Sequence, residues 1–224
     1  MQHYLFVVAH PDDELLGAGA SICELKKQGH RVSVCVLAAD SPTRTDDFIT
    51  TMKATHKLLG VDNTFLGQFR CSMLEKENRR KMVHFIEDAI RATNATVLIT
   101  HHPSDLHNDH RTVSGVCQEA ARLPMRQAGY TGSAIVHFAF MEVPSATDFM
   151  LCDTECHFCP TFYIPVSGES VKKKIELLQM YENVVRNSPH PRSERVLTAL
   201  AAIRGAACAS EFAEAFETVY YIHH

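Results

Sequence analysis

Short apolar runs alternate with stretches of helical periodicity through most of the chain. The first run, Tyr4 to Val8, is rich in β-branched and aromatic residues and predicts a buried strand. Similar runs over residues 31–37, 64–66 and 96–100 predict three more strands. Apolar side chains three or four positions apart lie between these runs and predict helices, the first of which ends near Gly29. The alternation predicts an α/β fold with a doubly wound, mostly parallel sheet.

The order of these strands follows from general rules of chain connection. Right-handed crossovers and the common order 3-2-1-4 place the first and fourth strands side by side. Beyond residue 110 the pattern predicts strands over 134–143 and 161–166, followed by two helices. A chain of 224 residues fits one domain, or one domain with an appended lobe, and we expect residues 1–224 to form a single domain.

Ionisable side chains follow directly after the first and the fourth predicted strands. His10, Asp12 and Asp13 come after the first strand, and residues 101–110, His-His-Pro-Ser-Asp-Leu-His-Asn-Asp-His, come after the fourth. In open α/β sheets, ligands bind at the carboxyl ends of strands, where the strand order reverses. Neighbouring carboxylates repel each other unless a cation or a proton compensates, and a divalent metal would supply that cation.

Two histidines and one carboxylate in these clusters form a candidate metal site. His10 and Asp13 come from the first cluster and His110 from the second, a set that suits zinc with an open position for water. The alternative is that His10 caps a helix and the aspartates are N-terminal helix acids, which the helix dipole favours. The meeting of both clusters at one edge of the sheet favours the metal site.

The remaining polar residues of the clusters suggest acid–base chemistry. Asp12, beside Asp13, is the predicted general base for a water molecule at the metal. His107 and Asp109 form a predicted acid and orienter pair, in which the carboxylate fixes the imidazole. The alternative for Asp109 is a hydrogen bond to a metal-binding histidine. We interpret His101 and His102 as strand-end spacers.

Three basic loop residues, Arg44, His190 and Arg192, are candidates for binding a polar substrate, although solvated loop positions are an equal interpretation.

Two groups of cysteines differ in their surroundings. Those in apolar periodic segments predict free, buried thiols in a cytosolic protein, and they are Cys23, Cys35 and Cys117. A second group of cysteines surrounds His157. The second pair of ligands that a structural zinc site needs is missing from its spacing, so a chance arrangement is favoured over a zinc site. Its members are Cys152, Cys156 and Cys159.

Charge and hydropathy limit the classes of partner. A formal net charge of −4 favours neither nucleic acid nor an anionic membrane surface. No apolar run approaches the roughly 20 residues that span a bilayer, and the first residues lack the pattern of a signal peptide. We therefore expect a cytoplasmic protein with a small-molecule substrate.

The two polar clusters resemble the signatures of the LmbE/PIG-L-like family of zinc-dependent N-deacetylases. Ala9-His10-Pro11-Asp12-Asp13-Glu14 is similar to the first signature, and His107-Asn108-Asp109-His110 is similar to the second, H-x-D-H. Residues 140–145, 189–193 and 204–216 also resemble bacterial members. The resemblance implies a Rossmann-like fold with a C-terminal α/β lobe that shapes the pocket.

The resemblance also implies roles for individual residues. It implies three zinc ligands, which are His10, Asp13 and His110. Asp12 is the implied general base, and His107, tuned by Asp109, assists the tetrahedral intermediate or protonates the leaving amine. The implied substrate is an N-acetylated amino sugar, such as N-acetylglucosamine, or its conjugate. The implied cofactor is Zn²⁺, with Fe²⁺ or another divalent metal as alternatives, and homo-oligomers are frequent in the family.

This chain departs from the family pattern at two places. Many members carry a sugar-binding arginine in the region of residues 49–51, where this chain has none. Many also carry an acidic residue near the end of the third strand, where this chain has Gly67-Gln68-Phe69-Arg70. Two other classes of function stay open. One is a metal-dependent phosphoesterase, which typically needs a second metal about 3.5–4 Å from the first. The other is a non-catalytic sugar- or metal-binding protein, against which the presence of both Asp12 and His107 argues.

Overall fold

The structure is a computed structural model that describes residues 1–39, 46–149 and 157–223. Within these residues seven strands form one sheet, in the order β3-β2-β1-β4-β5-β7-β6. The strands are β1 (His3–Val8), β2 (Arg31–Val36), β3 (Asn63–Leu66), β4 (Val97–His101), β5 (His137–Met141), β6 (Phe162–Val166) and β7 (Phe212–Tyr221).

Helices in the described part of the chain connect these strands and pack against the sheet. They are α1 (Asp13–Lys27), α2 (Asp46–Leu59), α3 (Arg79–Thr93), α4 (Asn108–Ala120), α5 (Leu123–Arg126), α6 (Gly168–Gln179) and α7 (Glu194–Ala207). A 3₁₀ turn, Leu74–Lys76, precedes α3. Alternate residues of β1 join two separate apolar clusters, Phe6 and Val8 one and Leu5 and Val7 the other, so the sheet is covered on both faces.

The topology confirms the predicted doubly wound sheet. Strands β3, β2, β1, β4 and β5 are parallel, and β1 pairs with β2 on one side and β4 on the other. Val7 aligns with Cys35 of β2 and with Thr100 of β4. Every residue of β1 is buried, as expected for a parallel strand covered on both faces. The carboxyl ends of β1 and β4 therefore lie side by side.

Strand β7 was not predicted from the sequence. Its first half, Phe-Ala-Glu-Ala-Phe-Glu, is rich in alanine and glutamate, which are depleted in strands. Antiparallel pairing on both sides overrides this preference, because Phe216 aligns with Met141 of β5 and with Phe162 of β6. The predicted strand over 134–143 is also shorter, since β5 covers His137–Met141. The C-terminal strands thus extend the same sheet.

Helix α1 is interrupted near its middle. Ala18 has a non-helical φ of −147°, which breaks the ladder of backbone hydrogen bonds. The buried carboxylate of Glu214 accepts a hydrogen bond of 2.6 Å from the backbone N–H of Ser21. Lys174 Nζ donates to the carbonyl of Leu16 at 2.7 Å and to Glu214 at 2.6 Å. An ion pair from α6 and β7 therefore stabilises the broken turn.

The structure also describes the apolar character of the helices and the surroundings of the cysteines. Across the described ranges, none of the helices has the length and apolar character to cross a bilayer. Cys23, Cys35 and Cys117 are free and buried, as predicted. Cys159 is a free, exposed thiol, whereas two of the cysteines around His157 fall outside the described residues. Those two are Cys152 and Cys156.

Candidate metal centre and pocket

The turn after β1 brings His10 and Asp13 together. Asp12 has φ +117° and ψ −24°, a backbone conformation that is costly for a residue other than glycine. Helix α1 begins immediately afterwards, and the backbone N–H of His10 donates to Asp13 Oδ2 at 2.8 Å. Both side chains are about 2 % exposed. Local backbone strain thus accompanies the placement of these side chains at the tip of β1.

A buried chain of polar contacts holds this turn to the next helix and strand. The carboxylate of Glu14 accepts from the backbone N–H of Asp12 at 3.4 Å. Its other oxygen lies 3.1 Å from His56 Nε2, and His56 Nδ1 lies 2.7 Å from the Thr64 hydroxyl. A hydroxyl donor on Nδ1 leaves the proton on Nε2, which can then donate to Glu14. The strained turn is therefore connected through α2 to β3.

The turn after β4 supplies the second half of the cluster. His107 caps α4, because its Nδ1 accepts from the backbone N–H of Asp109 at 3.2 Å. His110 lies in the first turn of this helix and is 2 % exposed. Since β1 and β4 are neighbours, His110 reaches the cluster formed by His10 and Asp13.

One carboxylate oxygen is the meeting point of the three predicted metal ligands. Asp13 Oδ2 lies 3.2 Å from His10 Nδ1 and 3.3 Å from His110 Nε2. Metal–nitrogen bonds of about 2.0–2.1 Å in a tetrahedron place neighbouring ligand atoms about 3.3 Å apart. The two distances to Asp13 Oδ2 therefore match the spacing of ligand atoms around a single zinc-sized cation.

The far nitrogen of each histidine contacts a second carboxylate. His10 Nε2 lies 3.0 Å from Asp109 Oδ2, and His110 Nδ1 lies 3.0 Å from Asp105 Oδ2. Such outer carboxylates hold the proton on the far nitrogen and leave the near lone pair for a metal. Two nitrogen lone pairs and the Asp13 carboxylate then converge on one point, where a cation would compensate them. The donor set fits a divalent metal.

Asp109 occupies a different place from the one first predicted for it. Its carboxylate contacts the ring of His10, and it also accepts from the backbone N–H groups of Ser72 at 2.6 Å and Leu74 at 3.1 Å. Its link to His107 runs through its own backbone N–H. The geometry corresponds to the alternative considered for Asp109, a hydrogen bond to His10, which is a candidate metal ligand.

Two buried residues of the cluster are Asp105, to which the sequence analysis assigned no role, and His101, which it interpreted as a strand-end spacer. Asp105 is fully buried and accepts from the Thr147 hydroxyl at 2.6 Å as well as contacting His110. His101 is fully buried and stacks on His110 at a ring distance of 3.8 Å. Its Nε2 accepts from the backbone N–H of Ala9 at 2.8 Å, so this lone pair is engaged. The sequence feature that indicates a role for Asp105 is its position in the same loop, five residues before His110.

Replacing Asp105 by asparagine is expected to weaken metal binding about 10–100-fold, because the outer partner of His110 loses its charge. Asparagine has the same shape and keeps an oxygen for the Thr147 hydroxyl. Competition with a chromophoric chelator measures the change. Asp88, whose side chain is 73 % exposed on α3, changed to asparagine, is the matched control, and equal affinities for both variants would contradict the role of Asp105.

A pocket of about 410 Å³ opens above this cluster. His107 and Arg192 line it together with the predicted ligands, and the His107 ring lies 4.7 Å from the His10 ring. Arg192 Nε donates to Ser145 Oγ at 2.6 Å, and its Nη1 lies 3.9 Å from Asp12 Oδ2. These contacts direct Arg192 from the C-terminal half of the chain into the same pocket as the two turns.

The structure describes one of the other two predicted substrate-binding residues. His190 supports Arg192, because its Nδ1 accepts from the backbone N–H of Arg192 at 3.0 Å. Arg44 lies outside the described residues. His102 contacts Ser104, with its Nδ1 2.7 Å from the hydroxyl.

The electrostatics of the cluster separate its histidines into two kinds. Burial opposes a charge on His10, but hydrogen bonds to Asp109 and Asp13 outweigh it and raise the pKa of His10 well above its usual value. For His110, burial is likewise outweighed by Asp13 and Asp105, and its pKa is raised. Burial and then the nearby His10 and His110 lower the pKa of His107 to about 4. The His107 ring is therefore neutral near pH 7.

Metal binding is expected to depend on pH through the raised pKa values of His10 and His110. Both rings hold protons above their usual pKa of about 6.5, and a cation must displace them. Apparent metal affinity should therefore increase as pH rises through these values and fall as pH decreases. Calorimetry at about pH 6 and about pH 8 measures affinity and proton release. An affinity that does not change with pH would contradict the expectation.

The fold and this cluster define an α/β protein with a candidate histidine–aspartate metal centre where the strand order reverses. Residues 5–121 match the family model described as PIG-L, GlcNAc-PI de-N-acetylase. This match covers more than half of the chain, and the protein belongs to the PIG-L family. The family resemblance of the two signatures is thereby confirmed.

Similar proteins come from a virus, bacteria and an archaeon. Protein L374 of Acanthamoeba polyphaga mimivirus, described as uncharacterized, is 26 % identical over 129 residues, which are 49 % of this chain and 54 % of that protein. The match thus spans about half the length of this relative.

Solved structures show the same fold over the whole chain. The conserved protein TT1542 of Thermus thermophilus has a TM-score of 0.79 and 19 % identity, covering 100 % of this chain and 97 % of that one. GalB of Pseudomonas putida, a 4-carboxy-2-hydroxymuconate hydratase, has a TM-score of 0.77 and 18 % identity, with coverages of 100 % and 98 %. The N,N'-diacetylchitobiose deacetylase of Pyrococcus horikoshii has a TM-score of 0.71 and 15 % identity, with coverages of 97 % and 84 %. At these identities the likeness concerns the fold.

Proposed function

We propose that the protein is a metal-dependent hydrolase that removes an N-acetyl group from an amino sugar or an amino-sugar conjugate. The observation that carries the proposal is the convergence of His10 Nδ1 and His110 Nε2 on Asp13 Oδ2, beneath a pocket of about 410 Å³. The description of the family and the activity named for the Pyrococcus deacetylase support it. Because a hydratase shares the fold, the choice of reaction depends on the site residues.

His10, Asp13 and His110 would hold the cation, and we propose zinc, with iron as the alternative. When bound, the cation would polarise the acyl carbonyl and lower the pKa of water at the site. Asp12, fully buried beside this set, accepts the proton of the attacking water. Its carboxylate lies 3.9 Å from Arg192, which lines the pocket above the cluster.

His107 has a tautomer that suits the stabilisation of negative charge. Its Nδ1 accepts from the backbone N–H of Asp109, so the neutral ring carries its proton on Nε2. That N–H can donate to the acyl oxygen as negative charge develops there, an effect often worth several kcal/mol. A neutral His107 has no additional proton for the leaving amine, and Asp12 returns the proton taken from water. Of the two roles considered for His107, this one follows from its neutral state.

The experiment is a panel of N-acetylhexosamine conjugates, phosphoesters and enoic acids, assayed for free amine, free phosphate and hydration respectively, with protein of known metal content. We expect amine release that depends on the metal and stops on its removal. Phosphoester turnover with two metals per chain would favour the phosphoesterase. Metal binding without turnover of any amide, phosphoester or enoic acid in the panel would favour a binding protein.

We further propose that residues 1–224 form one domain. This is supported by the sheet, which contains both the first strand, β1, and the last strand, β7. A cytoplasmic location is supported by free thiols among the described cysteines. A homo-oligomer stays a prediction, and size-exclusion chromatography with light scattering tests it.

A further inference from the structure

A cysteine lies beside the candidate metal centre. Cys71 is partly exposed in the loop after β3, next to Ser72, whose backbone N–H donates to Asp109. The Cys71 sulfur lies within 4.8 Å of a ring nitrogen of His10 and 3.7 Å from the Ser72 hydroxyl. Ligand atoms of His10, Cys71 and Asp109 lie within 4.8 Å of one another. This group shares His10 with the candidate metal centre but uses two different partners.

We propose that His10, Cys71 and Asp109 form a second cation site, which takes a thiophilic divalent ion such as Zn²⁺ or Cd²⁺ and competes with the first site for His10. The inference rests on the cation site described above, although its test needs no substrate. Imidazole, thiolate and carboxylate are all ligands of zinc, and a thiolate selects such ions over Mg²⁺ or Mn²⁺. On binding, the ion forms a bond to the Cys71 sulfur, and the thiol proton passes to solvent.

Competition follows from the two nitrogens of His10. A neutral imidazole offers one nitrogen lone pair, because the other nitrogen carries the proton. In the first site Nδ1 faces Asp13 at 3.2 Å, while Nε2 faces Asp109 at 3.0 Å. An ion on Nε2 moves the ring proton to Nδ1, so that an ion in the first site keeps only Asp13 and His110 as protein ligands. Both sites are filled together only at excess zinc, and excess zinc should therefore inhibit the enzyme.

The shared imidazole ring also makes the spacing of the two sites different from that in two-metal hydrolases. Two ions bound to opposite nitrogens of one imidazole would lie roughly 6 Å apart, given metal–nitrogen bonds of about 2 Å. Two-metal hydrolases hold their ions about 3.5–4 Å apart, close enough to share one oxygen. The second ion is consequently inhibitory, and it is not a partner in phosphoester hydrolysis.

The test is a titration of the metal-free protein with Co²⁺, followed by absorption spectroscopy. The first site contains no sulfur, so the first equivalent should give only the weak visible bands of cobalt. Excess cobalt should add a strong near-ultraviolet sulfur-to-cobalt band. Cys71→Ser should lose this band, whereas Cys159→Ser, which removes an exposed thiol elsewhere, should keep it. Zinc inhibition, relative to each variant's own activity at one equivalent, should need at least about tenfold more zinc in Cys71→Ser.

Absence of the sulfur-to-cobalt band at excess cobalt, or its survival in Cys71→Ser, would overturn the proposal. Protection of the unsubstituted protein from iodoacetamide gives a measurement that depends on no variant. Peptide mapping should show Cys71 alkylated without metal and protected by Cd²⁺, and equal alkylation in both conditions would also overturn it. A protein with these spectra but no amide turnover would retain the second site and lose the proposed function.

Discussion

Replacing Asp12 by asparagine is expected to lower the rate of deacetylation by about 10²–10⁴-fold, with the metal content unchanged. The asparagine side chain has nearly the same shape but cannot accept the proton of the attacking water. Asp12 lies outside the set formed by His10, Asp13 and His110, so the cation should remain. Measurement of kcat, together with metal content by mass spectrometry, checks both parts.

The control for Asp12→Asn is Asp88→Asn, because the Asp88 side chain is 73 % exposed and pairs with Arg91 on the surface of α3. This variant should retain full activity. Full activity of Asp12→Asn with one metal per chain would refute the assignment of the base. A loss of both metal and activity would instead make Asp12 part of the metal site.

Replacing His110 by alanine is expected to weaken metal binding by at least about 100-fold and to abolish turnover at limiting metal. The substitution removes Nε2, one of the atoms that converge on Asp13, and leaves Asp105 without its histidine partner. Metal per chain after dialysis against a chelator, with turnover measured in parallel, gives the result. Circular dichroism establishes that the fold is retained.

His84→Ala is the matched control for His110→Ala, because His84 is an exposed histidine on α3. It should bind metal as the unsubstituted protein does. If His110→Ala still holds one metal per chain at the same affinity, the metal centre lies elsewhere. The group of Asp13, His101 and His110 loses the same ligand, so the variant tests that arrangement as well.

The part of the fold around the site could be predicted from the sequence because its physical causes are local. Tyr4 to Val8 is apolar throughout, and a buried parallel strand requires this. Crossover handedness then places β1 beside β4, which brings His10 and His110 to one edge of the sheet. Neither step depends on details of side-chain packing.

The features that were missed depend on contacts between distant parts of the chain. Strand β7 forms against its own local preference, because β5 and β6 flank it. The outer role of Asp105 depends on the side-chain direction of His110, which spacing along the chain does not specify. The approach of Arg192 to Asp12 joins the loop before α7 to the first turn of the chain. Sequence patterns contain little information on such pairs.

The interruption of α1 at Ala18 links the candidate centre to residues that the family match does not include. That match ends at residue 121, whereas Lys174 and Glu214 supply the hydrogen bonds that the broken turn lacks. The helix that begins at Asp13 is consequently completed by side chains from the last third of the chain. A shortened protein containing only the matched segment would expose a carbonyl and amide groups at the break. The helix that carries Asp13 thus depends on side chains of α6 and β7 as well as on the two turns at the site.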